Sequence, residues 1–264
     1  MTHYSFMLID SAPILDADPN HVFGLLQEYG YEGVELNLTP QLVDRLDLVE
    51  RTVRGCGLSL PSFLTGAAYS PDCCLSSADV DARKHAVDRL VGHLDIAERF
   101  GAILVVGLLQ GLHTDEPDAT QANRRIVDCL RQVGDAAEKR GVDIVIEPIN
   151  HLQVGFNNSV AEVRSLIEAI GSPALRPMVD TIHMNIEETS LTQPILDCGS
   201  ELRHVHQCES NGGVLGKGHL DFTAVTSTLG QIGYEGFASV KVYRKASLEE
   251  AAQASMAYLQ SLAV

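Results

Sequence analysis

Short runs rich in β-branched residues alternate along the chain with longer amphipathic stretches. The runs are SFMLID (5–10), GVELNL (33–38), LSLPSF (58–63), AILVVG (102–107), DIVIEPIN (143–150), RPMVDTIHM (176–184), RHVHQCES (203–210) and FASVKVY (237–243). Between them, stretches such as ARKHAVDRLVGHLDIAERFG (82–101) and SVAEVRSLIEAIG (159–171) repeat apolar residues at helical spacing. The second opens on Ser159 with Glu162 three residues later, a capping-box pattern. Several stretches end at a glycine just before the next run, at Gly30, Gly57, Gly101, Gly141 and Gly233. Glycine there suits the left-handed helix stop that turns the chain back. This alternation predicts right-handed βαβ units and a parallel sheet. Eight repeats in about 250 residues predict one α/β domain over 1–264, a single (β/α)8 TIM barrel. The rival, a doubly wound open sheet, lacks its G-x-G-x-x-G fingerprint, and Gly216–Gly218 precedes no helix start.

A barrel places chemistry at the C-terminal ends of its strands, on inward positions. Side chains alternate with period two, so each inner face can be extrapolated to the strand's last residues. By that parity Glu147 shares a face with Val145, Asp180 with Met178, His206 with His204, and Lys241 with Ser239. Taken singly, a strand-end carboxylate is more often a cap and a lone histidine more often a core residue. Four consecutive strands with an ionisable group at the same level reverse that balance. Two carboxylates buried together need a cation or donors. Glu147, Asp180 and His206 are therefore the expected ligands of one divalent metal ion. Carboxylates with one imidazole suit Mn²⁺, Co²⁺, Mg²⁺, Zn²⁺ or Fe²⁺ without choosing among them. The loop after the seventh run, within HVHQCESNGGVLGKGHLDF (204–222), adds Glu209, Asn211, Lys217 and His219 as candidate substrate contacts. Glu35, late in the second run, is expected to orient a ligand or cap the following helix. His151 and Asn150 are weaker candidates, and Cys208 is expected to pack.

Composition narrows the class further. The chain has 264 residues, 45% hydrophobic and 20% charged, with a formal net charge of −16. That charge repels a polyanion, so nucleic-acid binding is not expected. Six cysteines without a C-x-x-C pair, and an opening MTHYSFMLID without a basic flank and apolar run, lead us to expect a soluble cytoplasmic protein with reduced thiols. No run approaches bilayer-spanning length.

The segments GYEGVELNL, IVIEPIN, MVDTIHMN, HVHQCES with GKGHLDF, and GYEGFASVKV, in this order, resemble the xylose-isomerase-like TIM-barrel superfamily of sugar isomerases and epimerases. The nearest branches are the ketose 3-epimerases and hydroxypyruvate isomerase. The resemblance implies a carbohydrate substrate, a frequent homo-oligomer and one divalent metal. It assigns the metal to Glu147, Asp180 and His206, with His183 touching substrate oxygens. It further implies two glutamates that move a proton on and off a carbon beside a carbonyl, by way of a metal-stabilised enediolate.

Three positions depart from that pattern. Lys241 stands where the eighth strand carries its glutamate, Gly212 where 3-epimerases carry an arginine, and Gln153 where they carry a glutamate. Lysine changes the charge around the metal from about −1 to about +1, and like charges a few ångströms apart repel by several kcal/mol. Three arrangements relieve this: a deprotonated Lys241 acting as base, an ammonium paired with substrate or enediolate, or a lysine that replaces the metal and forms an ion pair with Glu147 or Asp180. Our expectation is that Glu147 is one acid/base group and Lys241 the second, or the electrostatic stabiliser of the enediolate. The alternatives are a lyase or dehydratase using the same enediolate and a non-catalytic sugar-binding protein. An AP-endonuclease-like enzyme is disfavoured, since the third and fourth runs end without histidines.

Overall fold

The computed structural model describes residues 2–10, 12–16, 18–244 and 246–262. Eight parallel strands close into a barrel in chain order, as the alternation predicts. They are β1 (His3–Leu8), β2 (Gly33–Asn37), β3 (Ser62–Leu64), β4 (Ile103–Val106), β5 (Ile144–Ile146), β6 (Leu175–Asp180), β7 (His204–Gln207) and β8 (Phe237–Val240). Contacts group the chain into two compact units, one of residues 1–61 with 179–264 and one of residues 62–178.

In the first unit the strands lie in the order β7, β8, β1, β2. His206 pairs with Ser239, Ser239 with Ser5, and Met7 with Glu35. Period two then puts Ser5, Glu35, His204, His206 and Ser239 on one face, and all five are buried. Polar groups so deep cost free energy unless they find partners, which already marks this face as more than filling. The other face carries Phe6, Val34, Leu36, Val205, Ala238 and Val240, also buried. Phe6 meets Tyr31 edge to face at 5.4 Å, and the Tyr31 hydroxyl donates to the Ala252 carbonyl at 2.9 Å. That bond ties the C-terminal helix Leu248–Leu262 to the sheet. Each such large apolar side chain contributes about 1.5–3 kcal/mol on burial.

The second unit carries β3, β4, β5 and β6 side by side. Ile103, Val105, Val145 and Met178 form a buried apolar cluster with Leu64 packed on it. Val145 and Met178 thus share an apolar layer, as parity predicts. The capping box at Ser159 and Glu162 is formed, and it opens the helix Val160–Ile170. Gly30 (φ 101°) and Gly101 (φ 65°) take the left-handed stop, with positive φ also at the other three predicted glycines.

The strand ends differ from the sequence reading where proline or a cap intervenes. The third strand begins at Ser62 rather than Leu58, because Pro61 has no N–H to donate; Ser59 forms only an isolated bridge to Gly33. The fifth ends at Ile146, before Glu147 and Pro148. The sixth stops at Asp180, where the helix Thr181–Glu187 begins, so residues 181–184 are helical and not extended. The eighth stops at Val240, one residue before Lys241. Among the described residues, no helix is long and apolar enough to cross a membrane.

Candidate active site

Asp180 is at once the last residue of β6 and the N-cap of the helix Thr181–Glu187. Its Oδ1 accepts from the Ile182 amide at 3.0 Å, the usual work of a capping aspartate. The cap fixes the carboxylate and aims Oδ2 elsewhere. Lys241 Nζ donates to Oδ2 at 2.7 Å, His206 Nδ1 lies 3.4 Å from it and His183 Nε2 3.8 Å. His183 reaches back because residues three apart on a helix share a face. Lys241 is held by its own backbone, whose N–H donates to Gln207 O at 2.9 Å and carries the β7–β8 ladder one residue further.

Asp180 is fully buried. Burial alone pushes its carboxyl up, but Lys241, His183 and His206 outweigh burial and hold it well below the usual carboxylate range.

His206 uses its second nitrogen below this layer. Its Nε2 donates to Glu35 Oε1 at 3.2 Å, and His204 Nε2 donates to the same oxygen at 3.2 Å. The two rings meet edge to face, their centroids 5.0 Å apart. Glu35, His204 and His206 are all buried and offer ligand-type atoms within 4.8 Å of one another. Burial pushes the Glu35 carboxyl up, and the His206 and His204 N–H groups more than reverse this. Burial pushes the His204 imidazole down, and Glu35 only partly offsets it. His206 thus stands between two buried carboxylates, with Nε2 toward Glu35 Oε1 and Nδ1 3.4 Å from Asp180 Oδ2. A buried imidazole nitrogen beside a buried carboxylate oxygen is a pair of ligand types that a divalent cation takes in place of a proton, so the donor set fits the expected metal. The Lys241 ammonium now holds the Asp180 oxygen that such a cation would need.

Glu147 follows β5 directly and is buried. Its N–H donates to Val106 O at 3.0 Å and its carbonyl accepts from Gln110 Nε2 at 3.1 Å. Its backbone therefore carries the β4–β5 ladder one residue beyond the strand.

In the loop after β7, Glu209, one of the candidate substrate contacts, is buried and its carboxylate is hydrogen-bonded within the loop. Oε1 accepts from Ser210 N (2.9 Å), Ser210 Oγ (3.0 Å) and Leu220 N (3.2 Å), and Oε2 from Gly216 N (3.1 Å). Those four bonds tie both carboxylate oxygens to the backbone and side chains of the loop. Lys217 is exposed, anchored by its carbonyl, which accepts from Asn211 Nδ2 at 3.0 Å. His219 Nε2 pairs with Asn185 Oδ1 at 3.2 Å. Gly212 has φ 69°, and a Cβ there would meet the Tyr243 ring at 2.8 Å, so an arginine has no room unless Tyr243 moves.

A family model described as xylose isomerase-like TIM barrel matches residues 23–262. The chain belongs to the xylose isomerase-like TIM-barrel family. The ketose 3-epimerase of Arthrobacter globiformis is 29% identical over 212 residues, 80% of this chain and 72% of that protein. The 3-dehydro-D-guloside 4-epimerase of Escherichia coli K12 is 28% identical over 251 residues, 90% of this chain and 93% of that one. The solved D-psicose 3-epimerase of Clostridium cellulolyticum H10, with D-tagatose, superposes with a TM-score of 0.86 over 99% of both chains at 24% identity. That last likeness is one of fold.

The site holds two features that the strand pattern undervalued. His204 carried the right parity but no role, and Glu35 was one of several weak candidates. The repeated polar residue in H-V-H was the available signal. Its partner was not readable, since Glu35 lies 169 residues from His204.

Proposed function

We propose that this protein is a divalent-metal-dependent epimerase or isomerase of keto sugars that moves a proton at the carbon beside a carbonyl through an enediolate. The observation that carries this is the buried pair of ligand-type atoms, Asp180 Oδ2 and His206 Nδ1, 3.4 Å apart, on residues each held by a partner of its own. The relatives named above, epimerases of keto sugars or their glycosides, support the same reading. Glu147, Asp180 and His206 hold the metal. When bound, a divalent cation supplies Lewis-acid stabilisation of negative charge on substrate oxygens.

The chain's own groups do the rest. Glu147 takes the proton from carbon and serves as one acid/base. Lys241 donates from its ammonium to the developing oxyanion, or delivers the proton on the opposite face, which inverts the carbon. Return of the proton to the neighbouring carbon isomerises instead. His183, 3.8 Å from Asp180 Oδ2, contacts substrate oxygens. The test is proton NMR of the Mn²⁺-supplemented protein with D-psicose, D-tagatose and a 3-keto-glucoside in D₂O. Carbon-bound deuterium with epimer formation, lost in Glu147→Gln, is expected. Loss of water or aglycone would mark a lyase, and a protein that binds no Mn²⁺ by calorimetry overturns the proposal.

A further inference from the structure

Beside Glu147, the second unit has a seat that takes no part in the proposed chemistry. Gly107 directly follows β4, and a Cβ built on it would stand 2.5 Å from Glu147 Oε2 and 3.2 Å from Ile149 Cδ1. The Glu147 carboxylate thus rests on bare backbone, at a distance that no side-chain carbon allows. Three residues on, Gln110 is fully buried and its Nε2 donates to the Glu147 carbonyl at 3.1 Å. The other end of the same amide is also fixed: Asn157 Nδ2 donates to Gln110 Oε1 at 3.0 Å and to Asn123 Oδ1 at 2.9 Å. Asn157 is buried and holds φ at 55°, the one non-glycine residue with positive φ among those described. Asparagine reaches that conformation more easily than other side chains, though at some cost.

We infer that Gly107 and the Gln110–Asn157 amide pair are positioning residues that set the direction of the Glu147 carboxylate. Gly107 leaves the space, and the amide pair stops the Glu147 backbone from moving into it. None of the three is a metal ligand or a catalytic residue. The inference rests on the proposed role of Glu147 as a metal ligand. An alanine at 107 would collide with the tip of a flexible side chain, so the carboxylate moves and the backbone stays.

The experiment is a double-mutant cycle read as Mn²⁺ affinity by calorimetry, with thermal midpoints recorded for every variant. Gly107→Ala should weaken Mn²⁺ binding by about tenfold or more, the usual effect of groups that orient metal ligands, at a nearly unchanged midpoint. In a Glu147→Asp background the carboxylate is retracted by one methylene, and the same substitution should then cost little. A merely structural glycine would cost the same in both backgrounds. Gln110→Met, which keeps length and volume but removes the donor, should weaken Mn²⁺ binding with Gly107 intact; it keeps the inference open to refutation if Gly107→Ala fails to fold. Wild-type affinity in Gly107→Ala, equal losses in the two backgrounds, or wild-type affinity in Gln110→Met overturns the inference. If Glu147→Gln itself binds Mn²⁺ like the wild type, it is the metal assignment of Glu147 that fails, and the seat falls with it.

Discussion

Replacing Lys241 with glutamine tests the electrostatics of the site most directly. In the structure the ammonium lies 2.7 Å from Asp180 Oδ2, with Asp180 fully buried and the Lys241 side chain 15% exposed. Breaking such a pair from one side leaves a buried carboxylate without its cation, at a cost of about 3–5 kcal/mol. For a chain of this length, metal-free Lys241→Gln should therefore melt roughly 6–20 °C below the wild type, at about 2–4 °C per kcal/mol. Metal affinity should move the other way. In the wild type a cation must displace the ammonium from Asp180 and then tolerate it nearby, where two unit charges 4 Å apart interact by about 4 kcal/mol at an effective dielectric constant of 20. Removing the ammonium should tighten Mn²⁺ binding by at least tenfold and by up to roughly a hundredfold, the equivalent of about 1.4–2.8 kcal/mol. Saturating Mn²⁺ should then restore the melting temperature of the variant, since a ligand that binds only the folded state stabilises it. Scanning calorimetry with and without Mn²⁺, together with titration calorimetry, reads both effects. A variant as stable as the wild type without metal, or one that binds Mn²⁺ no more tightly, would refute the competition of lysine and metal for one oxygen.

Two further outcomes follow from other parts of the chain. His93, buried in the helix Val80–Phe100, is pushed down to about 4, by burial first and then by Arg89. Its folded value lies below its unfolded value, so the unfolded chain takes up a proton that the folded chain refuses. Stability should fall by up to about 3 kcal/mol as pH drops from about 6.5 toward 4. His93→Leu should lose correspondingly less between pH 7.5 and 4.5 in urea titrations, and parallel losses would disprove the assignment. Glu209→Ala removes the acceptor of four bonds that organise residues 210–220, each worth about 1 kcal/mol or more when its donor is buried. Limited proteolysis read by mass spectrometry should show faster cleavage in that loop with Mn²⁺ affinity largely kept, and an unchanged cleavage rate would contradict the stapling role.

Much of the candidate site is legible in the sequence because strand parity is a local property. Val145 with Glu147, Met178 with Asp180, and His204 with His206 share faces whatever the rest of the chain does. The strand ends were less legible. Pro61 and Pro148 could have been weighed, but the turn of 181–184 into helix depends on Asp180 capping it, and an aspartate at a strand end can equally remain extended. The bonds of Glu209 within its own loop were not legible, because a carboxylate in a glycine-rich loop looks like a ligand contact until its four donors are located.

By itself the sequence determined the repeating strand and helix units, hence a parallel barrel, and the set of inward ionisable groups at the strand ends. Periodicity, caps and glycine stops act over a few residues, so they can be read without knowing what lies opposite. Only the tertiary structure decided the pairings: Lys241 on Asp180, 61 residues apart, and both histidines of H-V-H on Glu35. Which charge meets which is a matter of ångströms between distant segments. No local pattern carries that information, because each of these side chains could have been satisfied by several others on the same polar face.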